Sequence, residues 1–348
     1  MLTACASRAP VSVGGGPGDK RPAAADASAE PASNVVKGLQ AEARSLAPLV
    51  STKLANDFLN ATRNLPNISP RTIYQDPATR NYYSKDQAER LPAEQLKALL
   101  PVQIDEYRYY HTKYGSPLAY VRAIELIGQL GIEDVSGRRV LDFGYGTVAH
   151  LRLLAVQGAY AVGVDVDSYL SALYSEPGDT GAVRRRGHAG AVTLINGRYP
   201  AEKETVAQIG EGYDVILSKN TLKRGYIKPS RPAEKRHLID LGVTDEVFLK
   251  SVYDALKPGG LLVIYNLAPA QAPANKPYIP WADARSPYTK KQYETAGFKV
   301  LAFDVNDDPF ARDMGRKLGW DRNAKGELQA DYEKNLFALY TIVQKEGQ

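Results

Sequence analysis

The chain has 348 residues, 44% of them apolar, and 44 Lys and Arg against 39 Asp and Glu give a formal charge of +5. That length allows one large domain or a domain with an extension, and the charge is too mild to imply a nucleic-acid partner. A single cysteine, Cys5, excludes intrachain disulfides and a CxxC metal site, so no metal is expected, and no run of about 18 apolar residues could span a membrane.

Leu2-Thr3-Ala4-Cys5 has the form of a bacterial lipobox, which makes Cys5 a candidate lipid anchor. The following Gly, Ala, Pro and Ser-rich stretch cannot bury enough apolar surface to order itself, so residues 1–33 read as a tail or tether. The charged segment and apolar core of a lipoprotein signal do not precede the lipobox. The expected location is therefore the cytoplasm, with a membrane-anchored lipoprotein as the alternative if the true start lies upstream of Met1.

Residues 34–115 read as a mainly helical extension. Val36, Leu39, Ala43, Leu46, Val50, Leu54 and Phe58 recur every three or four positions, which predicts one amphipathic helix over 35–60. A hairpin is expected around Asp76-Pro77 within 71–84, then a short helix over LPAEQLKALL. Tyr107, Tyr109, Tyr110, His111 and Tyr114 form the densest aromatic cluster of the chain, just ahead of a predicted helix over 118–130 that stops at Gly131. Tyr faces could attract a cation, or form a packing seam with their hydroxyls in water.

The most informative stretch is RRVLDFGYGTVAHLRLLAVQGAYAVGVDVD, residues 138–167. An apolar run ends in Gly144-Tyr145-Gly146, a helix is predicted from near Thr147, and a second apolar run stops at Asp165, giving a βαβ unit of a parallel sheet. Glycines let a ligand approach the backbone, and the helix start aims N–H groups at it. Asp165 follows the first glycine by roughly 20 residues, where a strand-end carboxylate can take both hydroxyls of a ribose, so an adenosine-type ligand is expected. Asp142, just before the glycines, would repel a pyrophosphate and suit a cation.

A third strand is expected over Ala191–Ile195, ending at Asn196, and a fourth over Asp214–Leu217, running out at Ser218-Lys219-Asn220. Arg184-Arg185-Arg186 reads as a solvated polar loop. A helix over 244–257, capped by Thr244, leads through Lys257-Pro258-Gly259-Gly260 into a fifth strand, LLVIYN. After a Pro- and Ala-rich stretch over 268–288 and a helix over 289–296, FKVLAFDV and LFALYTIV are expected to form a closing antiparallel pair.

The loop at 142–146, the GVD ending in Asp165 and the LKPGG turn together resemble the class I S-adenosylmethionine-dependent methyltransferases, over about residues 116–346. Val148 stands where that family's third glycine usually lies. The resemblance implies a doubly wound, mostly parallel seven-stranded α/β sheet of order 3-2-1-4-5-7-6 over residues 116–348. It also implies methyl transfer from S-adenosylmethionine to a small-molecule acceptor. Asp142, Gly144, Gly146 and Asp165 become candidate cofactor residues, with Tyr114 in the segment that closes over the cofactor. Asn196 is the candidate for the adenine edge, because Arg198 takes the family's acidic place, and Asn220 falls in the motif that faces the transferring methyl group. His111 is the candidate base, and the absence of an Asp-Pro-Pro-Tyr motif after the fourth strand argues against amino-group methylation of DNA. Val148 and Arg198 also leave a second reading, a non-catalytic cofactor-binding or scaffold module with a degenerate site.

Overall fold

The computed structural model describes residues 31–348 except 186, 324 and 348, and 33–348 form one unit. Cys5 and nearly all of the expected tether lie outside the described residues. Among the described residues no helix is long and apolar enough to cross a membrane.

Two sheets are present. A small one pairs β1 (Arg71–Gln75) antiparallel with β2 (Tyr82–Tyr83) and with β3 (Leu100–Ile104). The main sheet contains β4 (Arg139–Phe143), β5 (Tyr160–Asp165), β6 (Gly181–Arg185), β7 (His188–Asn196), β8 (Tyr213–Lys219), β9 (Leu256–Ala268), β10 (Phe298–Asn306) and β11 (Phe337–Lys345). Its spatial order is β10-β11-β9-β8-β4-β5-β7-β6. The sheet thus has eight strands, not the seven implied by the family resemblance. Counting β4 as strand one and leaving out β6, the order is 3-2-1-4-5-7-6, with β11 antiparallel to both β9 and β10.

The eighth strand is β6, which pairs antiparallel with β7 at the sheet edge and includes Arg184 and Arg185. The arginine run was expected to be a loop; its alternation with Gly181 and Val183 is too short to separate an edge strand from a polar turn. The central strand β8 is buried along its whole length, as a parallel strand covered on both faces should be. Phe248, Leu249 and Val252 of the helix Asp245–Ala255 pack on one face with Leu141, Ile216 and Leu262. Thr244 caps that helix by accepting from the Val247 N–H.

The amino-terminal segment is less helical than expected. The single helix over 35–60 is two, Asn34–Leu46 and Lys53–Asn60, separated by a 3-10 turn at Ala47–Leu49 that carries Pro48. Pro48 lacks an N–H to continue the ladder, so the helical period survives the break while the helix does not. Leu100, expected in a helix, enters β3 instead.

The break is fixed by Glu125 on the helix Val121–Gln129. Its carboxylate accepts from Ser51 N and Oγ at 3.1 and 2.7 Å and from Thr52 N and Oγ1 at 3.0 and 2.7 Å. Gly128, one turn on, allows this approach: a Cβ there would lie 2.4 Å from Thr52 Oγ1. Burial pushes the Glu125 carboxyl up, but these four donors outweigh it and hold it below its ordinary value.

A carboxyl lowered by folding contributes stability above its unfolded pKa, and that stability is lost as pH falls through the folded value. Glu125→Ala should therefore cost roughly 2–4 kcal/mol in urea denaturation at pH 7. The difference from the wild type should shrink below pH ~4.5. A difference independent of pH would contradict the hydrogen-bond account.

Candidate functional site

A cavity of about 610 Å³ opens at the carboxyl ends of β4, β5 and β8, where an α/β sheet of this winding binds ligands. Its lining includes Gly144, Tyr145, Gly146 and Thr147 from the loop after β4, Asp165 and Asp167 after β5, and Lys219, Asn220, Thr221 and Lys223 after β8. Tyr114 and Tyr120 come from the amino-terminal side, and Tyr226, Leu238, Ile239 and Leu241 form an apolar wall.

Gly144 and Gly146 have φ of +80° and +56°, which side chains rarely adopt. A Cβ on Gly144 would also strike Thr221 Oγ1 at 2.2 Å, and one on Gly146 would lie 3.2 Å from the Tyr114 ring. The loop is thus packed against cavity-lining side chains as well as turned sharply. Thr112 donates to the Gly146 carbonyl at 3.0 Å, and Thr147 donates to the Tyr110 carbonyl at 2.9 Å. These two bonds tie the tyrosine-rich segment to the glycine loop.

Asp142 is not on the cavity surface. It is fully buried beneath the loop, with its Oδ2 2.7 Å from Nε2 of the equally buried His150. Burial lowers the His150 pKa despite the carboxylate, so the neutral imidazole donates its Nε2–H to Asp142. Tyr120 stacks on His150 with ring centroids 3.6 Å apart and planes 5° from parallel. Direct contact of Asp142 with a cationic ligand, expected from its place before the glycines, is corrected: the carboxylate is committed to a histidine in the next helix. Such a partner shows in the sequence only as a polar residue on the buried, apolar face of the helix Ala149–Val156.

Asp165 lies on the wall and accepts from the Asp167 N–H at 2.9 Å. Burial raises its carboxyl to about 6, against the backbone donors of Asp167, Gly146 and Val166 that favour the charged form. Asp167, beside it, is held below its ordinary value. Burial opposes that shift, but Lys113 Nζ at 2.6 Å and the Tyr114 hydroxyl at 2.7 Å more than offset it. Tyr114 therefore reaches the cavity, its hydroxyl already committed.

Asn220 also lines the cavity, but its side chain serves the backbone. It sits at φ +64° and accepts from the Leu267 N–H at 2.8 Å, closing the turn after β8. Asn196 is outside the lining; its amide donates to the Asp165 carbonyl at 3.3 Å. His111 is outside it as well. It stacks on Tyr107, its Nδ1 is 3.2 Å from the Tyr107 carbonyl, and its Nε2 is 3.8 Å from Glu42. Its placement as a base beside the ligand is thus corrected, because the segment turns it toward the first helix. Tyr109 and Tyr110 are buried in the same seam.

Lys219 and Lys223 were missed by the sequence reading. Both are buried on the cavity wall, with pKa values lowered by burial to about 8 and about 7. The available signal was a lysine closing a continuous apolar strand, whose carboxyl end points to the ligand side.

No protein-family model matches the chain, and no curated protein sequence matches it. Solved structures do resemble it. Phosphoethanolamine N-methyltransferase 2 of Haemonchus contortus, in complex with S-adenosyl-L-methionine, is 12% identical over 80% of this chain and 68% of that one, with TM-score 0.39. A TehB-like SAM-dependent methyltransferase from Corynebacterium glutamicum is 14% identical over 66% of this chain and 88% of its own, with TM-score 0.34. The [4+2]-cyclase SpnF is 14% identical over 85% and 94%, with TM-score 0.37. At such TM-scores the likeness identifies neither activity nor substrate.

His150→Ala would leave the Asp142 carboxylate buried without its partner. The expected loss is roughly 3–5 kcal/mol of unfolding free energy in urea. A loss below about 1 kcal/mol would mean that the carboxylate is satisfied without the imidazole.

Proposed function

We propose that the chain is a class I S-adenosylmethionine-dependent methyltransferase acting on a small-molecule acceptor. The observation that carries this reading is the cavity at the sheet switch point, where the left-handed Gly144 and Gly146 stand beside the strand-end carboxylate of Asp165. The residues present fit such a ligand in a definite way. Asp165 offers acceptor oxygens where ribose hydroxyls are expected, and a side chain at Gly144 would collide with Thr221 while one at Gly146 would crowd Tyr114.

Bound S-adenosylmethionine would supply an activated methyl group on sulfur, leaving the protein mainly the task of holding an acceptor in line. Gly144 and Gly146 would give the ligand access to the backbone. The Asp142–His150 pair would hold that loop from beneath without touching the ligand. The apolar wall of Leu238, Ile239 and Leu241 would exclude water from the acceptor side. His111 and Asn196 have no part in this assignment, and no side chain is assigned as base. We place the reaction in the cytoplasm, where the cofactor is made.

Isothermal titration should detect binding of S-adenosylhomocysteine and none of NADH; the reverse would reject the reading. Since Asp165 accepts as a carboxylate and its carboxyl is raised to about 6, affinity should be full near pH ~7 and fall as pH drops through 6. Asp165→Ala should cost roughly 2–4 kcal/mol of binding and remove the fall below pH ~7. Label transfer from methyl-labelled cofactor into a lysate component, lost in that variant, would establish catalysis.

A further inference from the structure

The two lysines at the end of β8 are not explained by the reading so far. Lys219 is 8% exposed and Lys223 is 3% exposed, both on the cavity wall, and the charge of Lys219 adds to burial in lowering Lys223. Lys223 Nζ is engaged, donating to the carbonyls of Leu267 and, at 3.2 Å, Trp281. Lys219 Nζ has no hydrogen-bond acceptor among the described residues. It lies 5.1 Å from the centroid of the Tyr120 ring. The one carboxylate that favours its charge is Asp142, and that carboxylate is already bonded to His150. The acids on the cavity surface already have donors: Asp165 accepts from the Asp167 N–H at 2.9 Å. Asp167 pairs with Lys113, and Asp240 lies 3.8 Å from Arg198.

A mostly buried ammonium that faces a cavity with three donors and no protein acceptor among the described residues favours a ligand that supplies one. We propose that Lys219 receives a carboxylate of the ligand that fills the cavity, belonging either to the amino-acid tail of the cofactor or to the acceptor. This rests on the methyltransferase reading above and adds to it the charge of the ligand at the β8 end. A sulfonium alone would be repelled there, whereas a sulfonium carried with its own carboxylate, or facing an anionic acceptor, would not. The depressed pKa of Lys219 is the expected state of such a group before its anion arrives.

The test compares S-adenosylhomocysteine with methylthioadenosine, which keeps the purine, ribose and thioether but lacks the amino-acid tail, on the full chain and on Lys219→Met. Methionine is apolar and similar in length, and methylthioadenosine binding checks that the variant site is folded. Lys219→Gln, which keeps a neutral donor, serves if the methionine variant does not fold. If the tail supplies the carboxylate, Lys219→Met should weaken S-adenosylhomocysteine about 10- to 100-fold and leave methylthioadenosine unchanged. If the acceptor supplies it, both nucleosides should bind the variant normally. The complex saturated with S-adenosylhomocysteine should then bind benzoate in the wild type and not in the variant. Unchanged nucleoside affinities together with Lys219-independent benzoate binding would overturn the proposal while leaving the methyltransferase reading intact. Failure of both nucleosides to bind the wild type would reject that reading, and benzoate binding to the two ligand-free proteins would then decide the proposal by itself.

Discussion

Asp142 puts a carboxylate into the interior of a parallel sheet, and the structure around the cavity follows from how that charge is held. An isolated carboxylate at full burial would cost several kcal/mol or become protonated. His150, on the helix Ala149–Val156, donates to it across the glycine loop and stays neutral itself. The bond joins the end of β4 to the start of the helix, so the loop between has both ends fixed. Gly144 continues the strand by donating to the Val164 carbonyl at 2.8 Å, which sets the loop against β5. The loop therefore presents its backbone to the cavity while its acid works from underneath. The one cost left in this arrangement is that Asp142 Oδ1 and His150 Nδ1 have no partner among the described residues.

The loop is held from above by the amino-terminal segment. The small sheet is anchored to the connection between β5 and β6, because Arg71 of β1 reaches Asp179 at 2.6 Å and the Leu173 carbonyl at 2.8 Å. Tyr109 donates to the same Asp179 at 2.9 Å, and Tyr174 donates back to the Tyr109 carbonyl at 2.8 Å. The tyrosines that looked like a cation-binding cluster are thus mostly a seam whose hydroxyls find acceptors inside the protein. Only Tyr114, at the end of that seam, extends to the cavity.

The sequence revealed the parallel sheet, the glycine turn and Asp165 because each depends on local pattern: apolar runs, residues suited to positive φ, and a fixed interval along the chain. Glu125 and His150 are polar residues on apolar helices whose partners lie far away or in another element, and no local period reports those partners. The break at Pro48 was hidden because two short helices can share one apolar period. β6 was hidden because an edge strand needs only one neighbour and little apolar surface. His111 was placed by its position beside the tyrosines and Asn196 by the family's pattern at the third strand's end; the chain turns His111 toward the first helix, and the Asn196 amide donates to the Asp165 carbonyl instead. Lys219 was visible only as a lysine at a strand end, a signal that counts once the strand is known to stop at a cavity.

The cavity that results is polar in one direction. Its β5 end carries Asp165 and Asp167, stabilised by backbone N–H groups and by Lys113; its β8 end carries Lys219 and Lys223, stabilised mainly by carbonyls and a tyrosine face. The two ends cannot neutralise each other directly, since each acid already has donors of its own and the Asp142 charge is spent on His150. On the proposed reading, a ligand that spans the cavity would offer donors at the β5 end and an acceptor at the β8 end. Low dielectric sharpens this demand, because an unmet charge costs more where water cannot reach it. The strand order fixes both ends, since β5 and β8 flank β4 on opposite sides. The fold thus gives the cavity a direction, acids at one strand end and lysines at the other, and the proposed ligand would lie along it.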